Sequence, residues 1–415
     1  MLLEYRFKNF RSFKENAQFD MVAPSTKVKK RFPDNYTSVD DIDVLKTAVV
    51  VGENAGGKSN FIDSLNYLQY FFSNGTQTTS TINTNNVQGK CMHDVESNQE
   101  FTFKVLSADE RVFDYNLQVD GMGVVSESLY SIEKKKRREV FSVVRQTTAT
   151  CKTEDCKLKC DRNFKASASY RYTLELRGEN SKFASVLEEN LDSLNEGIFV
   201  LKLAILGDRD AKAVVDWVTK RLYAEAVPLN YDIYRSMKKE EDDFRIIRDE
   251  KYLEIFRMVD YSIVDVRLDE EQPYTDSLVI RRKEDGSLFS KKLKEDSSGV
   301  REFFAWAVQI YRVVYEDKVV FADEMDRVLN PVLSERVISF INGKEHRGQF
   351  VFTTHNVMHL DLRTYMKEQI YFVTKEKESL NSELYSLSDF PEVRYETSKI
   401  YEFYMKGILG GTAFE

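Results

Sequence analysis

Apolar and polar positions alternate at the start of the chain. Leu3, Tyr5, Phe7 and then Phe10 predict a strand within residues 2–13, and residues 17–23 read as a second. Residues 25–46 are polar, carry a basic run at Lys27, Lys29, Lys30 and Arg31, and predict a surface loop. Thr47-Ala48-Val49-Val50-Val51 predicts a buried strand bounded by Gly52. An amphipathic helix follows from Gly57 to Phe72. Residues 76–90, rich in Thr and Asn, predict a loop, and residues 100–141 return to strand alternation with a turn at Asp120-Gly121.

The middle of the chain changes period. Helical spacing covers 183–222, marked by Val214, Val215, Trp217 and Val218, and again 241–258. Strand character resumes over 261–292. A helix over 299–315 leads into the apolar run Val319–Ala322. Helices at 332–343 and 395–405 then alternate with strands at 350–354 and 369–374. There is no internal repeat and no long heptad array.

Composition narrows the class. The 415 residues are 42% hydrophobic and 13% aromatic, which excludes a disordered chain. Only 6 Pro and 17 Gly exclude a collagenous or Pro-rich linker protein. Sixty Lys and Arg against 68 Asp and Glu give a net charge of -8, which argues against a wholly basic nucleic-acid-coating protein. A local basic patch stays open. Lys134-Lys135-Lys136-Arg137-Arg138 is either a solvated hairpin tip or a contact that tracks nucleic-acid phosphates. Cys151, Cys156 and Cys160 cluster without the CxxC pair of most zinc ribbons and without a nearby His, so reduced surface thiols are expected. No signal peptide and no run of about 18 apolar residues is present, so the expected compartment is the cytoplasm, with no membrane partner.

Four constellations carry chemistry. Gly52-Glu53-Asn54-Ala55-Gly56-Gly57-Lys58-Ser59 matches G-x-x-x-x-G-K-[ST] between an apolar strand and an amphipathic helix. Such a loop turns backbone N–H groups around phosphate oxygens, and the helix start adds partial positive charge. Lys58 can then reach the β- and γ-phosphates of ATP, Ser59 can place its hydroxyl on Mg²⁺, and Asn60 continues the binding segment. The strand Val319-Val320-Phe321-Ala322 ends in Asp323-Glu324, where Asp323 is expected in the Mg²⁺ shell and Glu324 at the attacking water. A third strand ends in Thr353-Thr354-His355-Asn356, where His355 can sense the γ-phosphate or simply cap a loop. The fourth is Glu295-Asp296-Ser297-Ser298-Gly299, a helix start that offers a second anion site or simply an N-cap. Met325 and Phe352 are expected to be packing residues.

In this order the motifs resemble an ABC-type ATPase head. Lys8-Asn9-Phe10-Arg11-Ser12-Phe13 resembles the first strand of SMC, RecF and OLD-type ATPases. More narrowly, the chain resembles the RloA-like, abortive-infection group of AAA-family ATPases. Glu295–Gly299, Asp323-Glu324-Met325-Asp326-Arg327 before Leu329-Asn330-Pro331, and Ile370–Val373 leading to Leu387–Phe390 carry that likeness. The resemblance implies a homodimer with ATP sandwiched between the phosphate loop of one subunit and Ser297, Ser298 and Gly299 of the other, a higher homo-oligomer staying open. It further implies a nucleotide contact at Arg11 and an inter-subunit loop around Asp326 and Asn330. Arg327 is an inter-subunit contact, a γ-phosphate contact or, equally, a salt bridge. Two features depart from the pattern. The signature reads Ser-Ser-Gly rather than Ser-Gly-Gly, and the Q-loop glutamine has only Gln99 as a candidate, which reads more readily as a solvated loop residue.

The expected fold class is therefore α/β: a P-loop NTPase with an ABC-type ATPase head, an antiparallel β subdomain and a mainly helical insertion. Residues 1–144 would form the N-terminal part of the head, 145–260 the insertion with its Cys/Lys-rich start, and 261–415 the C-terminal part. Ser59 and Asp323 must meet at one Mg²⁺ although about 260 residues separate them, so the two ends of the chain build one head. The expected function is ATP-dependent sensing and regulation in a bacterial anti-phage system, acting on a separately encoded toxin or nuclease. The alternatives are a RecF-like repair ATPase acting directly on DNA and a scaffold that uses ATP only to dimerise. The intact Glu324 argues against the scaffold.

Overall fold

The computed structural model describes residues 1–25, 27–73, 97–120, 123–134, 136–147, 170–183, 187, 197–225, 241–325, 327, 329–396 and 399–410. The cysteine cluster, the 76–90 segment, Asp326 and Gly121 of the expected turn lie outside them. The chain forms two compact units interleaved in sequence. One holds Met1–Glu4, Ala17–Asn66 and Arg221–Glu415, the other Tyr5–Asn16 and Tyr67–Lys220. The blocks read from the sequence are consecutive, whereas these units are not.

The first unit is built on a six-stranded sheet. Its order is Leu222–Glu225, Val319–Ala322, Gln349–Thr354, Thr47–Gly52, Ile370–Lys375 and Ser382–Ser386. The first five strands run parallel and the last is antiparallel to its neighbour. Ala48 to Val51 and Val320 to Ala322 are wholly buried, which is why these strands read as unbroken apolar runs. Parallel strands bring their carboxyl ends to one edge of the sheet. The register pairs Phe352 with both Ala322 and Val49, so the segments after Gly52, Ala322 and Thr354 leave from that edge.

Against this sheet unit lies the long helix Ser298–Glu316, capped by Ser297, whose Oγ accepts the Val300 N–H at 3.3 Å. Phe304 on this helix meets Tyr252, Phe256 and Tyr274 edge-to-face at 5.7, 5.3 and 5.8 Å. Each such pair adds about 1 kcal/mol beyond area burial. A buried ion pair, Arg312 with Asp243, joins the helix to Glu241–Ile247.

Several sequence expectations change here. The 25–46 segment is not a plain loop. It contains the hairpin Tyr36–Val39 with Ile42–Leu45, turned at Asp40 with φ 50°. Its four-residue strands are too short for a visible alternation, yet they bury Val39, Val44 and Leu45. The helix expected over 241–258 is two, Glu241–Ile247 and Glu250–Phe256, because Asp249 caps the second through its contact with the Lys251 N–H. Residues 261–292 form the meander Ile263–Arg267, Leu278–Arg282 and Leu288–Lys292.

The second unit is an antiparallel sheet with short helices. Tyr170–Leu176, Lys136–Thr147, Gly123–Glu133, Val112–Asp120 and Gln99–Leu106 pair in that order, and the sheet continues to the strand Leu2–Lys8, which enters this unit at Tyr5. Buried and half-buried positions alternate along Gln99–Leu106, as in a strand with one packed face. The initial strand stops at Lys8, short of the expected residue 13, because Asn9 and Arg11 adopt positive φ (52° and 49°) in a turn closed by Phe10 and Phe13.

The described part of 183–222 is likewise not one helix. Gly207 (φ 95°) and the N-cap Asp208 divide Phe199–Ile205 from Arg209–Asp216, and a π-helical turn, Trp217–Arg221, precedes Leu222–Glu225. The basic run falls at a hairpin, with Lys134 at the turn. Arg137 pairs with Asp114 at 3.0 Å and lies 3.5 Å from the Tyr130 ring centre, and Arg138 pairs with Asp210 at 2.9 Å.

Candidate functional site

The loop that leaves Thr47–Gly52 turns into the helix Lys58–Ser73. Gly57 has φ 122°, a region that only glycine enters without strain. Gly52 is needed for a different reason: a Cβ there would lie 2.3 Å from the Val373 carbonyl oxygen of the neighbouring strand. Ser382 donates to the Gly56 carbonyl at 2.5 Å and supports the loop from behind. Asn54 and Ala55 form the exposed tip, while Glu53 and Asn60 are half-buried.

Lys58 is 5% exposed. Its ammonium donates to the carbonyl oxygens of Gly52 and Glu53 at 3.0 Å each, and lies 3.0 Å from His355 Nε2. Burial pulls its pKa below the usual lysine range, and the carboxylates of Glu324, Asp323 and Glu53 work against that shift. Ser59 Oγ donates to Asp323 Oδ2 at 2.6 Å, and Thr353 Oγ1 donates to Asp323 Oδ1 at 2.5 Å. Burial raises the Asp323 pKa above the usual carboxylate range. The two hydroxyl bonds and Lys58 oppose the rise, and Glu324 adds to it.

Glu324 sits at φ 48°, a left-handed conformation that costs an L-residue roughly 1–2 kcal/mol. Its N–H donates to Thr353 Oγ1 at 2.9 Å. Its carboxylate oxygen Oε1 is 3.0 Å from His355 Nε2. A carboxylate only accepts, so Nε2 carries the proton in that contact. The same nitrogen cannot then accept from Lys58, whose ammonium also lies 3.3 Å from Nδ1, the accepting nitrogen of that tautomer. Lys58, Ser59, Asp323, Glu324 and His355 thus converge from three strand ends.

Other predicted residues lie elsewhere. Ser297, Ser298 and Gly299 open their helix in the first unit and make none of the cluster's hydrogen bonds. Asp296, just before them, is held by the buried Arg281 at 2.8 Å, and Arg281 also bonds Asp260 at 2.7 Å. Asn330 caps the helix Pro331–Gly343, its side chain accepting from the Leu333 N–H at 2.8 Å. Arg327 pairs with Glu302 at 3.5 Å. Arg11 belongs to the second unit, with its guanidinium 5.6 Å from the Phe10 ring centre. Gln99 is also there and is not a solvated loop residue. It is 2% exposed and donates to the Asn9 carbonyl at 3.1 Å. Met325 and Phe352 are wholly buried, as packing residues should be. Sequence reasoning missed Thr353 as a bridge, Ser382 and Arg281. A lone hydroxyl or arginine gives no signal until strand order places it.

The family described as "AAA domain, putative AbiEii toxin, Type IV TA system" matches residues 48–361, more than half of the chain. The chain belongs to this family of AAA domains. A comparison with curated proteins gives no match. Among solved structures it is similar to an SMC head bound to the C-winged helix domain of ScpA, with 18% identity over 93% of this chain and 97% of that one, and a TM-score of 0.41. It is also similar to the SMC head domain from Thermotoga maritima, with 12% identity over 93% and 98% of the two chains and a TM-score of 0.40. A third is the Smc head domain with an extended coiled coil bound to the C-terminal domain of ScpA derived from Pyrococcus furiosus, with 14% identity over 98% of both chains and a TM-score of 0.42. The family span includes every residue of the convergent cluster from Gly52 to His355 and the Ser297–Gly299 helix start. Its fold is α/β, with a P-loop on the parallel sheet and a separate antiparallel sheet. Among the described residues no helix is long and apolar enough to cross a membrane.

Proposed function

We propose that this AAA domain binds and hydrolyses ATP with Mg²⁺ and acts as the sensor or regulator subunit of an anti-phage system, controlling a separately encoded toxin or nuclease. The observation that supports the catalytic part is the convergence of Lys58, Ser59, Asp323, Glu324 and His355 at one sheet edge. The family description, which names a toxin and a toxin–antitoxin system, supports the regulatory part.

The donor set fits Mg²⁺. Among the described residues no group of three or more His, Cys, Asp and Glu is arranged for a metal. Mg²⁺ does not require one, since it binds through one or two protein oxygens together with substrate phosphates and waters. Ser59 and Asp323, 2.6 Å apart, supply two hard oxygens. When bound, Mg²⁺ offsets phosphate charge. The backbone from Gly52 to Gly57 cradles the phosphates, with Glu53, Asn54 and Ala55 along it. Lys58 sets its ammonium against the terminal phosphates. Glu324 takes the proton of the attacking water, and His355 Nε2–H orients the Glu324 carboxylate.

Ser297, Ser298 and Gly299 would complete the site of a second copy in a homodimer. Ser297 Oγ accepts from Val300, and its O–H stays available as a donor to phosphate. The nucleotide role of Arg11 rests on the resemblance. Arg137 and Arg138 pair with Asp114 and Asp210 and stay exposed, so direct action on nucleic acid remains the second reading. The decisive experiment is Lys58→Ala followed by calorimetry with ATP. Loss of ATP binding is expected, and retained affinity would refute the phosphate-loop assignment.

A further inference from the structure

The hydroxyl of Thr353 touches both acids at the end of the neighbouring strand. Thr353 is wholly buried on Gln349–Thr354. Asp323 and Glu324 follow Val319–Ala322, with which that strand pairs in parallel. A backbone N–H can only donate, so Thr353 Oγ1 accepts from Glu324 N at 2.9 Å. Its single proton is then directed at Asp323 Oδ1, 2.5 Å away. The hydroxyl is used in both directions, and each use fixes a different acid. The first holds Glu324 in its left-handed backbone conformation, from which the carboxylate faces His355. The second fixes one Asp323 oxygen and leaves the other to Ser59.

We propose that Thr353 is the positioning residue of this site, setting the metal-side acid Asp323 and the water-side acid Glu324 in one geometry through its hydroxyl. The inference rests on the ATPase reading above. It assigns the work to the hydroxyl and not to the methyl group. Valine has the same shape without the hydroxyl, and serine keeps the hydroxyl without the methyl.

The test compares T353V, T353S, K58A and wild type in ATP turnover against ATP and against Mg²⁺, with folding checked by thermal melts. A misplaced acid pair costs about 10- to 100-fold in kcat, so T353V should show that loss with little change in the KM for ATP and a higher Mg²⁺ half-saturation. T353S should stay within about threefold of wild type, since it restores the same hydrogen bonds. T353V turnover equal to wild type would overturn the inference. A folded T353S that loses about 10-fold or more in kcat would overturn it too, whether or not T353V folds, because the hydroxyl would then not be the acting group. Wild type no faster than K58A would defeat the ATPase reading itself, and this inference with it.

Discussion

Asp323 in the first unit and Glu127 in the second are both nearly sealed from solvent, at 7% and 1% exposure. Glu127 receives the Tyr115 hydroxyl at 2.9 Å, the Val200 N–H at 2.7 Å and the Phe199 N–H at 2.5 Å. Two of these donors are backbone groups at the start of Phe199–Ile205, fixed by the chain path. Among the described residues Asp323 receives side-chain hydroxyls, from Ser59 and Thr353. Hydroxyls can rotate and yield a carboxylate oxygen to another ligand, whereas backbone N–H groups at a helix start cannot. Around Asp323 stand Lys58, Glu324 and His355, and Ser59 and His355 are exposed. The Glu127 network fastens a helix to a sheet. The Asp323 network keeps one oxygen on Ser59, an exposed hydroxyl that can turn away from it.

The sharpest way to break this contrast is at Glu324. Glu324→Gln removes the proposed base and should lower ATP turnover by about 10²- to 10⁴-fold, with ATP-bound dimer accumulating. Phosphate release and light scattering report the two effects. Unchanged hydrolysis would leave the Asp323 cluster no more chemical than the Glu127 one.

A smaller effect sharpens the other side. Burial pushes the Glu127 pKa from 4.5 up to about 7, against the opposing pull of its three hydrogen bonds and of Lys202. Its proton is therefore bound more tightly in the folded state. The stability it contributes is full below about 4.5 and is lost as the pH rises through about 7. Linkage over that window amounts to about 3 kcal/mol. Glu127→Gln sets an amide N–H against a donor, should cost roughly 1–3 kcal/mol at pH 5, and should narrow its gap to wild type at pH 8. Urea unfolding at the two pH values measures this, and ATP affinity should not change. A gap that widens with pH would reverse the assigned direction.

The smallest effect concerns Asn330, which is a helix cap in the structure and an inter-subunit candidate by resemblance. As a cap alone, Asn330→Ala should cost about 1 kcal/mol in unfolding free energy, with ATP-dependent dimerisation unchanged by sedimentation. Lost dimerisation in a variant that melts like wild type would move Asn330 from the architecture to the interface.

Much of the first unit was legible in the sequence. The strand–loop–helix around Gly52–Ser59 is contiguous, so its residues announce it without help from the fold. Val319–Ala322 and Phe350–Phe352 are unbroken apolar runs because both faces of their strands are buried, and each is followed by polar residues. The breaks were less legible. A single Gly207-Asp208 pair and a single Asp249 divide stretches whose apolar spacing stays helical throughout. The hairpin after Tyr36 hides in polar sequence because its buried residues are few. In the second unit the alternation was visible, but no pattern marks Glu127 as the acid that receives a helix start.

By itself the sequence determined which residues are candidates for chemistry, because glycine-rich strand-to-helix loops and strand-end acids are local features of the backbone. The tertiary structure alone decided which of them meet. Strand order placed Gln349–Thr354 between Thr47–Gly52 and Val319–Ala322, and hydrogen bonding between neighbouring strands follows spatial order and not chain order. That placement made Thr353 the bridge between two acids, set Ser382 behind the loop, and brought Ser59 to Asp323 across 264 residues of chain.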